Sequence, residues 1–126
     1  MKRRDAREKA FQTLFSIDSQ GFNPQDALTQ VLEDEEASPF LSVLVQGVYD
    51  NHKEIDQKIT ENLEKWSIER LPTVEKTLLR IATYEMFYEV DTPIGVAINE
   101  AVELAHLYGD DKSGKFINGV LSKMTH

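Results

Sequence analysis

The sequence of 126 residues contains no cysteine, only four prolines and only six glycines. The absence of cysteine excludes disulfide bonds and thiolate metal sites, and it is typical of proteins from a reducing cytoplasm. The apolar runs are a few residues long, which is too short for a membrane span. The charged N-terminus is not followed by the apolar segment of a secretory signal. We therefore expect a cytoplasmic protein without a membrane partner.

The sequence also offers little for catalysis or metal binding. Its three histidines, His52, His106 and His126, are scattered, and none has the i, i+4 partner of a zinc-binding helix. Residues 109–115 match the G-x4-G-K part of a phosphate-binding loop, but Phe116 follows where that loop requires Ser or Thr. The acidic pairs have no nucleophile or histidine beside them and are typical of solvated helix faces. The sequence thus predicts no catalytic residue, no metal, no cofactor and no enzyme activity.

A reversal of charge separates the start of the chain from the rest. The formal net charge is −8, yet residues 1–9 contain five basic and two acidic residues. Those nine residues therefore carry +3 and the remaining residues carry −11. A basic segment on an acidic protein can anchor a polyanion locally while the other surfaces repel it. This distribution favours capture of a short nucleic acid. The alternative is that the arginines only make the helix surface soluble and pair with Asp5 and Glu8.

Apolar residues recur with the 3.6-residue period of an α-helix along almost the whole chain, and no segment has the pattern of a strand. We expect residues 1–126 to form one domain, an all-α compact bundle of about seven short helices. The third apolar stretch is too long for one helix, so a break is expected near Asn51. The first helix is predicted over about residues 3–19, and the other boundary signals are Gly21, Asn23-Pro24, Ser38-Pro39, Pro72, Thr92-Pro93, Gly109 and a last start at 111–113.

The same period separates inward from outward positions. Arg3, Arg4 and Arg7 fall off the predicted apolar stripe of the first helix, so we expect all three to be solvated. Spacings of three and four residues allow Arg7 to act together with Arg3 or Arg4, binding phosphates or stacking on exposed bases. Tyr49 is expected to face inward. The strongest core positions are predicted to be Val74, Leu78, Ile81 and Ala82.

Three segments resemble the signature segments of the NusB family of bacterial transcription antitermination factors. They are RRDAREKAFQTL at 3–14, VEKTLLRIATYEM at 74–86, and the long, specific block VAINEAVELA at 96–105 continued by KFINGVL at 115–121. The similarity covers nearly the whole chain. It implies an all-helical fold of two small helical subdomains. It also implies binding to the boxA element of nascent ribosomal RNA transcripts, and a heterodimer with NusE, a small-subunit ribosomal protein, that joins an RNA polymerase elongation complex with other Nus factors.

The candidate RNA-binding residues come from the charge pattern and from this resemblance. At the start of the last helix, backbone N–H groups with Lys112 and Lys115 can hold phosphate. The resemblance implies that four positions lie at or near the RNA surface, namely Arg80, Lys115, Phe116 and Asn118. Phe116 can stack on a base there, and the alternative is that it is an aromatic residue of the core. Asp5 departs from the more basic family pattern. The predicted RNA-binding set is Arg3, Arg4, Arg7, Gln12, Arg80, Lys112, Lys115, Phe116 and Asn118.

For the protein partner, the resemblance implies contacts through Phe15, Glu69 and Glu75. A surface carboxylate can pair with the basic surface of a ribosomal protein. Glu75 can equally favour the positive N-terminal end of its own helix, and Phe15 can be either exposed for contact or buried.

Two other functions stay open at this point. The chain can be a helical protein–protein adaptor without RNA contact, or the N-terminal fragment of a ribosomal RNA cytosine methyltransferase, which carries a similar helical domain. Because the sequence stops at His126, a stand-alone factor is the expectation. A homodimer that covers the basic helix is also open.

Overall fold

The computed structural model describes residues 1–65, 67–88 and 90–125. Within these ranges it contains seven α-helices, one 3-10 turn and no strand, as predicted for an all-α bundle of about seven short helices. The helices are α1 (Arg3–Gln20), α2 (Pro24–Leu32), α3 (Pro39–Asp50), α4 (His52–Thr60), α5 (Thr73–Phe87), α6 (Ile94–Tyr108) and α7 (Asp111–Lys123), with the 3-10 turn at Ile68–Arg70 between α4 and α5.

Local signals set several of the helix ends. Gly21 ends α1 with a φ of 76°, a left-handed conformation that glycine adopts without steric cost. The side chains of Asn23 and Ser38 accept hydrogen bonds from amides in the first turns of α2 and α3, as predicted. Thr92 is different, because its hydroxyl donates to Glu85 at 3.0 Å and Pro93 directly precedes α6. The prediction that Thr92 caps this helix is wrong.

Helix α5 lies at the centre of the bundle and contacts α1, α3, α4, α6 and α7. Three of its four predicted core residues are buried, whereas Val74 is half-buried; Leu79, which was not predicted, is fully buried. Tyr49 does not face inward but is 42% exposed. The neighbouring Val48 takes the inward position, and a shift of one residue turns a side chain by about 100° around a helix.

None of the helices in the described ranges is both long enough and apolar enough to cross a membrane.

Gly47 in α3 is a position of close approach. A Cβ atom there would overlap Cζ and Oη of Tyr84, whose ring is stacked on Tyr88 with centroids 4.8 Å apart. In α7, a Cβ at Gly119 would meet no atom of the described part of the chain within 4 Å. Both glycines lie within helices, but only at Gly47 does packing require the absence of a side chain.

This difference gives a matched pair of variants. Gly47→Ala and Gly119→Ala gain the same helix propensity, about 1 kcal/mol relative to glycine. The overlap with Tyr84 adds an overpacking cost of about 1–3 kcal/mol to the first variant alone. Urea denaturation should therefore give Gly47→Ala the lower free energy of unfolding by that amount, and equal stabilities would contradict the packing described for α3.

Candidate nucleic-acid interface

The first turns of α1 direct its arginines to different environments. Arg3 and Arg4 are exposed, with the Arg4 side chain 73% accessible. Arg7 is 4% exposed. The prediction that all three are solvated is therefore right for Arg3 and Arg4 and wrong for Arg7.

Arg7 is held in a buried ion pair with Glu85 of α5, itself 3% exposed. Its Nε donates to Glu85 Oε2 at 2.9 Å and its Nη2 donates to Oε1 at 2.9 Å. Thr92 donates a further hydrogen bond to the same carboxylate, and Glu100 lies 3.5 Å from Arg7 Nη1. This geometry is bidentate and leaves the guanidinium no open side for a phosphate. Arg7 therefore joins α1 to α5 and does not belong to the exposed cationic surface.

The two exposed arginines, Arg3 and Arg4, make weaker contacts than Arg7 does. Arg4 Nε lies 3.3 Å from Glu100 Oε2. The Arg3 guanidinium lies 4.3 Å from the ring centroid of Phe40, and its Nη1 donates to the carbonyl of Asp91 at 3.4 Å. Exposed ion pairs contribute about 0–1 kcal/mol, so a phosphate can replace these partners at little cost.

Gln12 lies on the seam between α1 and the end of α6. Its Nε2 donates to Tyr108 Oη at 2.8 Å, and the Tyr108 hydroxyl in turn donates to Glu8. Burial, together with the Glu8 hydrogen bond, raises the pKa of Tyr108 above its ordinary value, so the hydroxyl keeps its proton. These hydrogen bonds join the middle of α1 to the last residue of α6.

The start of α7 is fixed by a capping box. Asp110 accepts a hydrogen bond from the Ser113 amide at 2.8 Å, and Ser113 Oγ accepts from the Asp110 amide at 3.3 Å. The hydrogen bonds from Ser113 lower the pKa of Asp110. Lys112 and Lys115 are exposed beside this cap, as a phosphate-binding role requires. Asn118 is also exposed, one turn further along.

A cleft of about 570 Å³ lies between the 3-10 turn, the start of α5 and the start of α7. Arg70, Glu75, Lys112 and Phe116 are among its lining residues. Phe116 is half-buried, which is compatible with packing on one face and contact on the other.

One of the three predicted partner-binding residues, Glu75, is not available for a surface contact. Glu75 is 8% exposed, and its carboxylate accepts a hydrogen bond from Ser113 Oγ at 2.6 Å. The expectation of a free surface carboxylate is therefore wrong for Glu75, because α7 packs over it. Glu69 is exposed in the 3-10 turn. Phe15 is half-buried, with its ring centroid 5.7 Å from that of Phe11.

Arg80 is separated from the other cations. Its guanidinium donates to both oxygens of Asp56 at 2.8 and 2.9 Å and lies 3.6 Å from Asp18. Burial opposes the charged form of Arg80, but the hydrogen bonds and charges of these aspartates outweigh it and raise its pKa. Asp18 lies fourteen residues beyond Arg4, about 21 Å along α1 at 1.5 Å per residue. The structure thus does not bring Arg80 together with Arg3 and Arg4.

In the described ranges, no group of three or more His, Cys, Asp or Glu side chains could hold a metal ion. His126, named above among the scattered histidines, lies outside the described residues.

Comparisons with known proteins agree with one another. The NusB family model matches residues 4–126. The chain is 52% identical over 124 residues to the transcription antitermination protein NusB of Geobacillus kaustophilus (strain HTA426), covering 98% of this chain and 95% of that relative. The NusB of Bacillus pumilus (strain SAFR-032) is 48% identical over 124 residues with the same coverage.

Solved structures give the same family. T. maritima NusB matches with a TM-score of 0.88 and 37% identity, covering 98% of this chain and 90% of that chain. A chain from the crystal structure of antitermination factors NusB and NusE in complex with dsRNA matches with a TM-score of 0.89 and 33% identity, covering 97% of this chain and 94% of that one.

Proposed function

The chain belongs to the NusB family, and from this membership we propose that it is a transcription antitermination factor that binds boxA RNA together with NusE. In this proposal residues 1–126 act as one RNA-binding domain in the cytoplasm. The heterodimer joins an RNA polymerase elongation complex with other Nus factors, and the chain catalyses no reaction.

The observation that carries the proposal is the match, over nearly the full chain, to a structure of NusB and NusE in complex with dsRNA. The charge distribution gives independent support. Arg3, Arg4, Lys112 and Lys115 are exposed cations on a chain with a net charge of −8. A polyanion is attracted to such cations and repelled by the surfaces around them.

The exposed side chains suit unpaired RNA. Arg3 and Arg4 can each bind a phosphate in a bidentate manner, and Lys112 and Lys115 can bind phosphates beside the positive end of α7. Phe116 supplies an aromatic face for a base. Asn118 supplies a donor and an acceptor for a base edge, since single-stranded RNA is recognised mainly by stacking and edge hydrogen bonds. In this proposal Gln12 orients Tyr108 at the seam, and Arg7 holds α1 in place.

For NusE, we propose that Glu69 and Phe15 lie in the contact surface. Glu69 is an exposed carboxylate suited to a basic ribosomal protein. Glu75 contributes by fixing Ser113 and the start of α7 beside the cleft. Arg80 acts in the same indirect way, by holding α5 against α1 and α4 through Asp18 and Asp56.

The test is a binding measurement with boxA RNA and a scrambled RNA of equal length, each with and without NusE. We expect boxA to bind tighter than the scrambled RNA, and the difference to increase when NusE is added, because the chain alone offers few cations. Equal binding of both RNAs that NusE does not change would reject the proposed function. Unchanged assembly on RNA after charge reversal of Arg3 and Arg4 would instead favour the adaptor function.

A further inference from the structure

A second, smaller groove lies on the outer side of α7, between this helix and the segment that follows α4. It has a volume of about 270 Å³, and Lys65, Lys115, Phe116, Gly119 and Lys123 are among its lining residues. Phe116 lines both this groove and the larger cleft beside Glu75. Phe116 therefore borders both depressions.

The groove is cationic although the protein is acidic. Three lysines and one glutamate, Glu64, line it. Lys123 Nζ lies 2.8 Å from Glu64 Oε1, and this hydrogen bond and charge lower the pKa of Glu64. Lys65 and Lys115 are exposed and have no salt-bridge partner among the described residues. Two free ammonium groups thus flank the groove and can each bind a phosphate.

The side chains that line the groove suit the flat ring of a nucleic-acid base. Phe116 supplies an aromatic side chain on one side of the groove, and Gly119 leaves the helix surface open, since no atom of the described residues lies within 4 Å of where its Cβ would stand. Base stacking on an aromatic side chain contributes about 1–3 kcal/mol and tolerates any base. A groove of this size has room for one nucleotide but not for a helix of a partner protein.

We propose that this groove is an additional RNA subsite, which accepts one unpaired nucleotide next to the boxA segment, with Lys65 and Lys115 binding its phosphates. The proposal rests on the proposed function, because Lys115 and Phe116 also belong to the boxA surface. It adds Lys65 and Gly119 as contacts and predicts that RNA flanking boxA on one side is bound without base preference.

Gly119 gives a direct test. Gly119→Glu places a carboxylate in the groove, where it repels phosphate and occupies the space of the base. A Cβ at this exposed position meets no atom of the described residues within 4 Å, and the substitution replaces a helical glycine, so stability should be preserved or increased. Gly119→Ala is the matched control, and Lys65→Gln removes one cation without filling the groove.

The measurement is fluorescence anisotropy in the presence of NusE with four RNAs. They are boxA alone, boxA extended by three uridines at its 5′ end, boxA extended by three uridines at its 3′ end, and a scrambled RNA of the same length as boxA. One extended RNA should bind wild-type protein about 3- to 10-fold tighter than boxA alone. Gly119→Glu should abolish this gain and Lys65→Gln should reduce it, while Gly119→Ala keeps it. Binding of the unextended boxA should change by no more than about twofold in Lys65→Gln and Gly119→Ala. In Gly119→Glu the gain is measured against that variant's own affinity for unextended boxA, because Lys115 and Phe116 border the groove and also belong to the boxA surface.

The outcomes separate the subsite from the proposed function. If wild-type protein prefers boxA over scrambled RNA but neither extension tightens binding, the groove is not an RNA subsite and the proposed function stands. If Gly119→Glu still binds the extended RNA more tightly than boxA alone, the groove is not an RNA subsite. If that variant at the same time loses affinity for NusE, the groove is a protein contact instead. If wild-type protein shows no preference for unextended boxA, the proposed function itself fails.

Discussion

Arg7→Met is expected to lower the free energy of unfolding by about 3–5 kcal/mol. The substitution leaves the Glu85 carboxylate buried without its cation, and among the described residues only the Thr92 hydroxyl still donates a hydrogen bond to it. Removing one partner of a buried ion pair costs far more than the pair contributes, because the remaining charge stays out of water. A domain of this size has a total stability of about 5–15 kcal/mol, so the loss is a large fraction of it.

Arg4→Met is the matched control for this prediction. Arg4 lies one turn earlier on the same helix, and its pair with Glu100 is exposed, so its loss should cost at most about 1 kcal/mol. The double variant Arg7→Met/Glu85→Leu should recover most of the stability, because two apolar side chains replace the pair. Urea denaturation measures all three, and an Arg7→Met protein as stable as Arg4→Met would contradict the buried ion pair.

Charge reversal of the exposed pair, Arg3→Glu/Arg4→Glu, is expected to weaken binding of boxA RNA by about 100-fold while leaving the fold intact. Each charge-assisted hydrogen bond to a phosphate contributes about 1.5–3 kcal/mol, and the two together therefore correspond to at least 3 kcal/mol. The first turn of α1 is solvated at both positions, so the free energy of unfolding should change little.

The control for charge reversal must change the net charge equally elsewhere. Lys53→Glu/Lys58→Glu does so on α4, which carries none of the proposed RNA contacts. Anisotropy with labelled boxA should show a small, general loss for this control and the large loss for the α1 variant. Equal losses would mean that net charge, and not a located surface, determines the affinity.

The helix boundaries were accessible from the sequence because their causes are local. Asn23, Ser38 and Gly21 act on amides or dihedrals within a few residues of themselves, so their types and positions predict where helices begin and end. The buried residues at the centre of α5 could equally be predicted from the 3.6-residue period of the sequence. Thr92 failed as a cap because its hydroxyl donates instead to the carboxylate of Glu85, seven residues earlier on α5.

The candidate site was accessible only in part, because its geometry depends on pairs that are distant in sequence. Arg7 and Glu85 are 78 residues apart, and Glu75 and Ser113 are 38 apart. One signal was nevertheless present: Arg7 precedes Phe11 by four residues, which places it on the apolar face of α1. An arginine on one apolar face and a glutamate on another predict a buried ion pair, since neither charge can be buried alone.

Arg80 illustrates the remaining limit. Its type and the family resemblance both indicate RNA, and nothing in its immediate sequence reveals the two aspartates that hold it. Asp18 comes from the last turn of α1 and Asp56 from α4, so the pairing exists only once three helices are packed. A sequence pattern locates cations, but the packing decides which of them are available to a ligand.

The central claim is that a few located cations, Arg3, Arg4, Lys112 and Lys115, hold the RNA. Its most direct test is the salt dependence of boxA affinity in the presence of NusE, measured for wild-type protein and for Arg3→Glu/Arg4→Glu. Four phosphate contacts on a single strand predict a slope of log K against log salt of about −3 from this chain, and the loss of two predicts about −1.4. With the contribution of NusE common to both proteins, the two slopes should differ by about 1.4. Identical slopes for the two proteins would contradict the claim.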